Sequence, residues 1–302
     1  LGIAQVGKSF RNEIAPRQSL LRLREFYQAE IEVFCNPNKL TEMEKFSEIQ
    51  DVTIRVQTDA EPVAMTCKEA VESGVVPNKF VAYYLGILTE FYEKTGIDIT
   101  KSRFRKLGDK EKAFYAEVAF DFEVETTIGW LELVACNYRS DYDLSSHGKK
   151  SKQKFEIMDG DDKILPHVFE ISMGIDRSLY TILEHCLKDD KEHDRIVLAL
   201  KPYLSPVHIG ILSLVKKDGL KEKTDEIYLQ LKRKCDAFLD HSGAIGRRYR
   251  RLDEIGSPFA ITVDHQTLED KTVTIRMRDS MEQKRINISE LASEVIQSIA
   301  YP

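Results

Sequence analysis

Hydrophobic and polar positions alternate in two different regimes along the chain. Leu1-Gly2-Ile3-Ala4-Gln5-Val6 reads as a strand, Gly7 to Glu13 and a polar stretch with Pro16 follow, and a long segment runs from Leu21 to Phe34. Two strands joined by a basic loop are the simplest arrangement. Between Asn36 and Lys112 the sequence turns charged and helix-like, punctuated by Pro37, Pro62 and Pro77, and this stretch of about 37–112 reads as an insertion or subdomain. Apolar runs return at Tyr115 to Val124, Gly129 to Cys136 and His167 to Ser172, and the spacing of Ile175, Leu179, Ile182, Leu183 and Cys186 predicts a helix. A charged break from Lys188 to Arg195 marks the domain boundary. Beyond it come a short strand at Ile196 to Leu200, an amphipathic helix carrying Ile227, Leu231, Cys235, Phe238 and Leu239, a strand at Phe259 to Val263, and the alternating Val273, Ile275 and Met277. Asn287 with Glu290 resembles a capping box opening a last helix, Leu291 to Ile299. The pattern predicts one domain over 1–190 and a small α/β domain over 191–302, without internal repeats.

Composition narrows the class. A length of 302 residues suits two domains and a sizeable core, and 42% apolar with 31% charged residues argues against disorder or low complexity. No apolar run reaches the roughly 20 residues of a membrane span, and no basic-then-apolar leader opens the chain, so a soluble, cytoplasmic protein with no membrane partner is expected. The 44 basic and 50 acidic residues leave a net charge of −6, which lacks the overall footprint of a nucleic-acid binder but leaves room for a local one. Five cysteines (35, 67, 136, 186 and 235) without a Cys-x-x-Cys pair fit reduced thiols, not a disulfide framework or a zinc site, and the seven histidines have no metal-ligand spacing.

Candidate chemistry concentrates in the first domain. If Arg22 to Phe34 is a strand, period 2 puts Arg22, Arg24, Phe26, Gln28 and Glu30 on one face and Leu21, Leu23, Ala29, Ile31 and Val33 on a core face. The first row could hold an anion, a flat base and a cation in that order; an exposed face with cross-strand salt bridges competes with it on equal terms. Arg11 and Glu13 share a face of the preceding strand, and two arginine-bearing strands suit a phosphate. Glu132 and Glu170 each interrupt an apolar run, where a charge must be paired or bind a cation. A structural pair with a buried arginine is one outcome; with Glu30 they otherwise make three carboxylates able to hold Mg²⁺ or an ammonium group. Ser172 points the same way as Glu170, and Arg177 sits near a helix N-terminus that favours an anion, a solvated arginine being the plainer alternative.

These pieces, in this order, resemble a class II aminoacyl-tRNA synthetase of the archaeal and eukaryotic glycyl-tRNA synthetase family. Phe10-Arg11-Asn12-Glu13 with Arg24-Glu25-Phe26 and Ala29-Glu30-Ile31-Glu32 resembles the second motif of the class, and Glu170-Ile171-Ser172-Met173-Gly174-Ile175-Asp176-Arg177 the third. Gly129-Trp130-Leu131-Glu132-Leu133, with Arg139, Asp141-Tyr142-Asp143-Leu144 and His147, resembles the glycine-specific block. Gly246 to Arg251, Asp253 to Gly256, Pro258-Phe259-Ala260 and Arg278 to Gln283 resemble the family's C-terminal anticodon-binding domain.

The resemblance implies an α/β (α+β) fold: an antiparallel-sheet catalytic domain, incomplete here, then a small anticodon-binding domain with a mixed sheet. It implies ATP as substrate with Mg²⁺, glycine and tRNA(Gly) as partners, and a homodimer through an N-terminal region. Arg11 would contact the α-phosphate and the amino-acid carboxylate; Arg177 would stack on adenine and reach the terminal phosphate, and these two are the catalytic pair. Asn12, Glu13, Arg22, Leu23, Phe26, Glu132 and Leu133 would complete the ATP site, with Glu132 also a Mg²⁺ ligand. Glu30, Glu170, Ile171 and Ser172 would hold glycine. Arg247, Arg248, Arg250 and Arg251 are the tRNA candidates, with Lys232, Arg233 and Lys234 on the preceding helix, Arg276 and Arg278 on a strand, and Lys149, Lys150, Lys152 and Lys154 near the acceptor stem. Each alone is an ordinary solvated charge; together they suggest a basic face.

Departures from the family pattern are Ile171 where proline is usual, Phe114 in place of a frequent histidine, and Tyr138 before Arg139, all expected to alter packing around the ligands. The first motif of the class would precede Leu1, so a fragment, or a second chain supplying the rest, is expected. The competing function is a non-catalytic synthetase-like nucleic-acid-binding protein, such as a polymerase accessory or regulatory subunit. Retention of Arg11 and Arg177 weighs against it.

Overall fold

A computed structural model describes residues 1–16 and 19–301. They form two compact units, Leu1–Thr181 and Ile182–Pro302, the division falling within one helix. In chain order the first unit runs β1 (Gly2–Phe10), β2 (Glu25–Cys35), α1 (Phe46–Ile49), β3 (Thr53–Gln57), β4 (Val63–Thr66), α2 (Cys67–Glu72), α3 (Lys79–Lys94), β5 (Ser102–Lys106), β6 (Val118–Thr126) and β7 (Gly129–Tyr138). It continues with α4 (Tyr142–Ser151), the small hairpin β8 (Ile157–Asp159) and β9 (Asp162–Ile164), β10 (His167–Gly174) and α5 (Ile175–Cys186).

Eight of these strands make one sheet in the order β1-β2-β10-β7-β6-β5-β3-β4, antiparallel throughout except where β3 runs parallel to β5. The last strand of this sheet in chain order, β10, therefore lies between β2 and β7, which brings residues about 140 positions apart onto adjacent strands. One face is apolar. Ile171, Cys136, Phe120, Phe122 and Phe104 are buried there, and α3 packs on it through Tyr92 against Phe122 (ring centroids 4.9 Å) and Phe80 against Phe169 (5.9 Å). Burying an amphipathic helix on one sheet face leaves the other face free for polar chemistry.

The stretch read as an insertion or subdomain belongs to this same body. It contributes β3, β4 and β5 to the sheet, and α3, buried along Val81, Leu85 and Tyr92, is its main covering helix. Its local signals are sound: Asn78 caps α3 by accepting from Val81 N at 2.9 Å, and Thr66 with Glu69 forms a capping box on α2. Gly86 lets α3 come close to its neighbours, since a Cβ there would meet Cys67 Sγ at 3.0 Å and Ile49 at 3.2 Å.

The second unit opens with a hairpin, β11 (Leu187–Asp190) and β12 (Arg195–Leu198). It continues β13 (Ile209–Ser213), α6 (Leu220–Leu231), β14 (Ala237–Asp240), α7 (Ile245–Glu254), β15 (Phe259–Val263), α8 (His265–Asp270), β16 (Thr272–Met277), β17 (Gln283–Asn287) and α9 (Ile288–Ser298). Its sheet, β14-β13-β15-β16-β17, is mixed: β13 is parallel to β14 and β15, and the remaining pairs are antiparallel. Ile209, Ile211, Ile261 and Val273 pack against Leu220, Ile227, Leu291 and Val295. On the other face α7 presses so close to β13 that a Cβ at Gly210 would sit 2.2 Å from Leu252.

Three local readings change. The helix predicted through Phe238 and Leu239 ends at Leu231, and those residues lie on β14, drawn into extended form by parallel pairing with β13. Lys232, Arg233 and Lys234 thus follow the helix instead of riding on it. The charged break from Lys188 to Arg195 makes up most of the β11–β12 hairpin and its turn, where Asp190 accepts from Arg195 Nε at 2.7 Å and lies 3.0 Å from His193 Nδ1. Asn287 does cap the last helix, through Ser289 N at 3.0 Å, but Glu290 returns no bond to complete a box.

Candidate functional site

Paired residues on neighbouring strands share a face, so the register reads out what the polar side of the first sheet presents. Glu30 on β2 opposes Ser172 on β10, which opposes Ala135 on β7, which opposes Asp121 on β6, which opposes Arg105 on β5. One step along, Glu32, Glu170 and Asn137 form a parallel row. The face runs from carboxylates and hydroxyls on β2 and β10 to arginine–carboxylate pairs on β5 and β6. Arg103 bridges Glu123 at 2.6 Å and lies 3.9 Å over the Trp130 ring, while Arg105 reaches Asp121 at 3.1 Å and Glu123 at 2.9 Å.

A β-bulge sets the middle of this face. Phe122 opposes Val134, but Glu123 opposes Glu132, so Leu133 is the extra residue on β7. Without it, the positions continuing from Ala135 would be Leu133 and Leu131. With it, Glu132 and Trp130 turn onto the polar face while Leu133 is buried. Glu132 is accordingly solvent-accessible and not a charge trapped in an apolar strand, which corrects the expectation drawn from its neighbours.

A cleft opens beside the bulge, lined by Arg11, Glu13, Leu20, Leu21, Arg22, Leu23, Phe26, Tyr27, Gln28, Glu132, Leu133, Ser172, Gly174, Asp176 and Arg177. Neither arginine-bearing segment at its mouth is strand: β1 ends at Phe10 and β2 begins at Glu25, so Arg11, Glu13, Arg22 and Arg24 lie on the connection. Backbone bonds hold that connection, from Arg11 N to Arg24 O at 2.9 Å and from Glu13 N to Arg11 O at 2.9 Å, with Arg24 Nε donating to Glu13 O at 2.9 Å. The Arg11 guanidinium lies 5.6 Å from the centroid of the Phe26 ring.

Opposite, α5 begins immediately after Gly174. In its first turn Asp176 accepts from Tyr27 N at 2.7 Å, tying the helix start to β2. Arg177 then lies across the cleft, donating from Nη1 to Glu132 O at 2.9 Å and from Nε to Leu21 O at 3.2 Å, with the Glu132 carboxylate 3.6 Å away. Its charge meets carbonyls and one distant, exposed carboxylate, so it remains available to an anion. Among the described residues no carboxylate pairs with Arg11 or Arg22.

The carboxylate end is organised differently. Gln28 Nε2 donates to Glu30 Oε1 at 2.7 Å and to Ser172 Oγ. Glu170 is buried and pairs with Arg139, whose other Nη lies 2.7 Å from Asp143 Oδ2. The buried-arginine pairing weighed from the sequence is therefore present. Burial raises the Glu170 pKa, Arg139 pulls it back, and Glu30 and Glu32 raise it again. Burial likewise lifts Asp121 to about 7, Glu132 adding to the shift and Arg105 opposing it.

Of the nucleotide set, Arg11, Glu13, Arg22, Leu23, Phe26, Glu132, Leu133 and Arg177 share the cleft, whereas exposed Asn12 does not line it. Of the glycine set, Ser172 lines the cleft and Glu30 adjoins through Gln28, with Glu170 one step along β10. Ile171 points to the apolar face, because neighbouring strand residues alternate, so its side chain is withdrawn from the site. Tyr27, Gln28 and Asp176 were not assigned roles; for Gln28 the signal was its place in the Phe26–Glu30 row, and for Asp176 an acid in a first helical turn. The departures are packing residues: Tyr138 Oη lies 2.6 Å from His167 Nδ1, and exposed Phe114 sets its ring edgewise on Tyr115 and Tyr142.

In the second unit, α7 separates the four arginine candidates. Arg247 and Arg250 are exposed, Arg250 reaching Asp194 at 3.1 Å. Arg251 is bound to Asp240 and to Ser242 O. Arg248 is buried and donates to Ser213 O at 2.7 Å and Asp240 O at 3.2 Å, which removes it from any surface contact. Arg276 and Arg278 are buried too, on Asp253 and on the carbonyls of Leu198, Leu200 and Gly256.

Known proteins share this fold and much of this sequence. A family model described as "Anticodon binding domain" matches residues 208–298. The glycine–tRNA ligase of Archaeoglobus fulgidus is 36% identical over 97% of this chain and 64% of its own length. That of Methanococcus maripaludis is 34% identical over 96% of this chain and 67% of its own. The chain thus spans about two thirds of the length of the curated relatives it matches. A solved prolyl-tRNA synthetase from Cryptosporidium parvum, complexed with L-proline and AMP, superposes with a TM-score of 0.62 at 19% identity, covering 99% of this chain and 55% of that one, a likeness of fold. With an antiparallel sheet followed by a mixed α/β unit, a fold of the class II synthetases, and relatives of this identity along nearly its whole length, the chain belongs to the glycine–tRNA ligase family.

Proposed function

We propose that the protein carrying this chain activates glycine with ATP and transfers it to tRNA(Gly). The observation that carries the reading is the cleft itself: Arg11 over the Phe26 ring on one side and Arg177 spanning to Glu132 on the other. An aromatic ring in a cleft with two arginines, Arg11 without a carboxylate partner among the described residues and Arg177 with only the exposed Glu132 at 3.6 Å, suits a base attached to phosphates. Next to it the Glu30, Ser172 and Glu170 end suits an ammonium group, so the two ends match the two charges of an amino acid lying against a nucleotide.

In the first step the glycine carboxylate attacks the α-phosphorus of ATP, and the bond to pyrophosphate breaks. In the second, a terminal ribose hydroxyl of the tRNA attacks the glycyl carbonyl and AMP leaves. No side-chain nucleophile is required; Arg11 and Arg177 position the phosphates and stabilise the charge that develops on them. Selectivity for glycine would come from exclusion, with the crowded carboxylates of β2 and β10 as the wall against a β-carbon.

Among the described residues no group of three or more acidic, histidine or cysteine side chains could cage a metal. Mg²⁺ is commonly held by one or two carboxylates together with substrate phosphates, and the exposed Glu132 carboxylate in the cleft fits that role. Bound there, it would neutralise phosphate charge. Arg247 and Arg250 on α7 are the tRNA candidates, with exposed Arg251 engaged by Asp240 and Ser242 O. Among the described residues no helix is long and apolar enough to cross a membrane. A homodimer and a cytosolic setting accompany the reading, the first tested by the solution mass of the intact protein.

The deciding experiment is glycine-dependent pyrophosphate–ATP exchange by the intact protein and by this chain alone. Exchange with glycine and not with alanine is the expected result. Absence of exchange from the intact protein would overturn the reading.

A further inference from the structure

We infer that Arg139 is the positioning residue of the carboxylate pocket: it grips one oxygen of Glu170, keeping that carboxylate charged and aimed, and leaves the other oxygen to the ammonium group of the amino acid. The inference rests on the reading of Glu170 as an ammonium ligand.

Arg139 follows the last residue of β7, and its backbone N donates to Val168 O at 2.9 Å, so its Cα is held beside β10. Its guanidinium is fixed on several sides. The plane lies 4.3 Å from the centroid of the Tyr115 ring, one Nη is 2.7 Å from Asp143 Oδ2, and the other bonds Glu170 Oε2 with Glu32 Oε1 at 3.8 Å. Only Oε2 of Glu170 is engaged by described residues. The Nε of Arg139 is buried without a partner, a local cost accepted for this orientation.

Charge counting points to a missing cation. Glu30 and Glu32 on β2, Glu170 on β10 and Asp143 on α4 gather around this corner, and Arg139, the one arginine paired there among the described residues, cannot balance four carboxylates. The other groups facing Glu170 are neutral: Asn137 on β7, Ser172 on β10 and Tyr115 before β6. Glu170 is buried and the other three are partly exposed, so a concentration of negative charge around one buried carboxylate fits a site completed by a ligand's positive charge. Burial and the neighbouring glutamates push Glu170 toward its protonated form, which could not serve as a full anion for an ammonium group. Arg139 opposes that protonation. Because Tyr115 and Asp143 restrain the guanidinium, it also fixes the angle of the carboxylate.

The test compares Arg139→Gln and Arg139→Lys in the intact protein. Arg139→Gln is expected to raise the KM for glycine in the exchange reaction by about tenfold or more near neutral pH while leaving the KM for ATP within about twofold, as loss of one charge-assisted contact predicts. The glycine deficit should shrink as pH is raised, because Glu170, whose pKa burial raises and Arg139 lowers, re-ionises. Arg139→Lys should recover part of the loss. Carboxyl ¹³C spectra of labelled glutamate, with Glu170→Gln to assign the resonance, should place the Glu170 midpoint higher in Arg139→Gln than in the parent. An unmoved midpoint, or equal losses for glycine and ATP at every pH, would overturn the inference in favour of a purely structural arginine. Should Arg139→Gln fail to fold, Arg139→Lys decides: a raised glycine KM with an unchanged ATP KM supports the role, and parity with the parent removes it. If the parent shows no glycine-dependent exchange, the glycine reading fails on its own, and the Glu170 midpoint still decides whether Arg139 holds the carboxylate ionised.

Discussion

Arginines serve opposite ends in the two units. In the first, Arg11, Arg22 and Arg177 line a cleft and touch a ring, carbonyls or a distant carboxylate, so their charge is still available. In the second, Arg195, Arg248, Arg276 and Arg278 are sunk among carbonyls and the buried Asp253, which bridges Arg276 at 2.8 Å and Arg195 at 2.9 Å. The difference lies in what surrounds each guanidinium. A strand connection at a cleft mouth offers few acceptors, whereas the closely packed β12, β15, β16 and α7 supply carbonyl ends and an aspartate at bonding distance. A basic stretch therefore says nothing about ligand binding until its acceptors are counted.

The comparison is broken most severely by removing Asp253. Asp253→Ala leaves buried Arg276 without its carboxylate and takes one of two from Arg195, whose other is Asp190; it should cost about 3–5 kcal/mol of unfolding free energy, read by chemical denaturation. A loss below about 1 kcal/mol would mean that the network is not what holds this unit together.

Next comes Arg177→Ala. Its charge is directed at a ligand, so exchange should fall by about 10²–10³-fold while tRNA binding and the thermal midpoint stay near those of the parent. Unchanged exchange removes Arg177 from the ATP site. A collapse in stability would place it with the structural arginines instead.

An effect confined to one pH window tests the arginine–carboxylate pairs on the same sheet face as the cleft. Asp121 titrates near 7 in the folded protein, chiefly through burial, against about 3.9 when unfolded. Below about pH 4 both states are protonated and the group is neutral in its effect; as pH rises toward 7 the unfolded state ionises first, so stability falls. Asp121→Asn should flatten that decline, by up to about 4 kcal/mol across the window for a shift of about three units. An equally steep pH dependence of stability in the variant would relocate the titration elsewhere.

The mildest change separates neighbours on α7. Arg247→Ala should weaken tRNA binding by a few-fold, on the order of 1 kcal/mol, and reduce the salt slope by about one, with no change in stability. Arg248→Ala, one residue on, should lower stability instead. Identical behaviour of the two would erase the distinction drawn from their burial.

Much of this site was legible along the chain because strand alternation is local. Phe26, Gln28 and Glu30 share a face wherever β2 lies, and Arg177 stands in the first turn of a helix announced by Ile175, Leu179 and Leu183. The mixed α/β order of the second unit was readable for the same reason. What escaped depended on distant partners. Phe238 and Leu239 continue an acceptable helical spacing, and only pairing with β13 makes them strand. The charged stretch with its prolines did not declare β3, β4 and β5, since each is short and borrows its stability from the sheet it joins. Arg247 and Arg248 are indistinguishable in sequence, and the turn between them on a helix packed against β13 exposes one and buries the other.

From residue order alone come the chemical types, the local periodicities, the helix cap at Asn287, and the succession of motifs that marks the family. These rest on interactions within a few residues. Only the tertiary structure decided that β10 lies between β2 and β7, that Leu133 bulges out and turns Glu132 toward the cleft, and that Glu170 spends one oxygen on Arg139. Strand order, burial and the supply of competing acceptors are properties of residues far apart in the chain. No window along the sequence contains them.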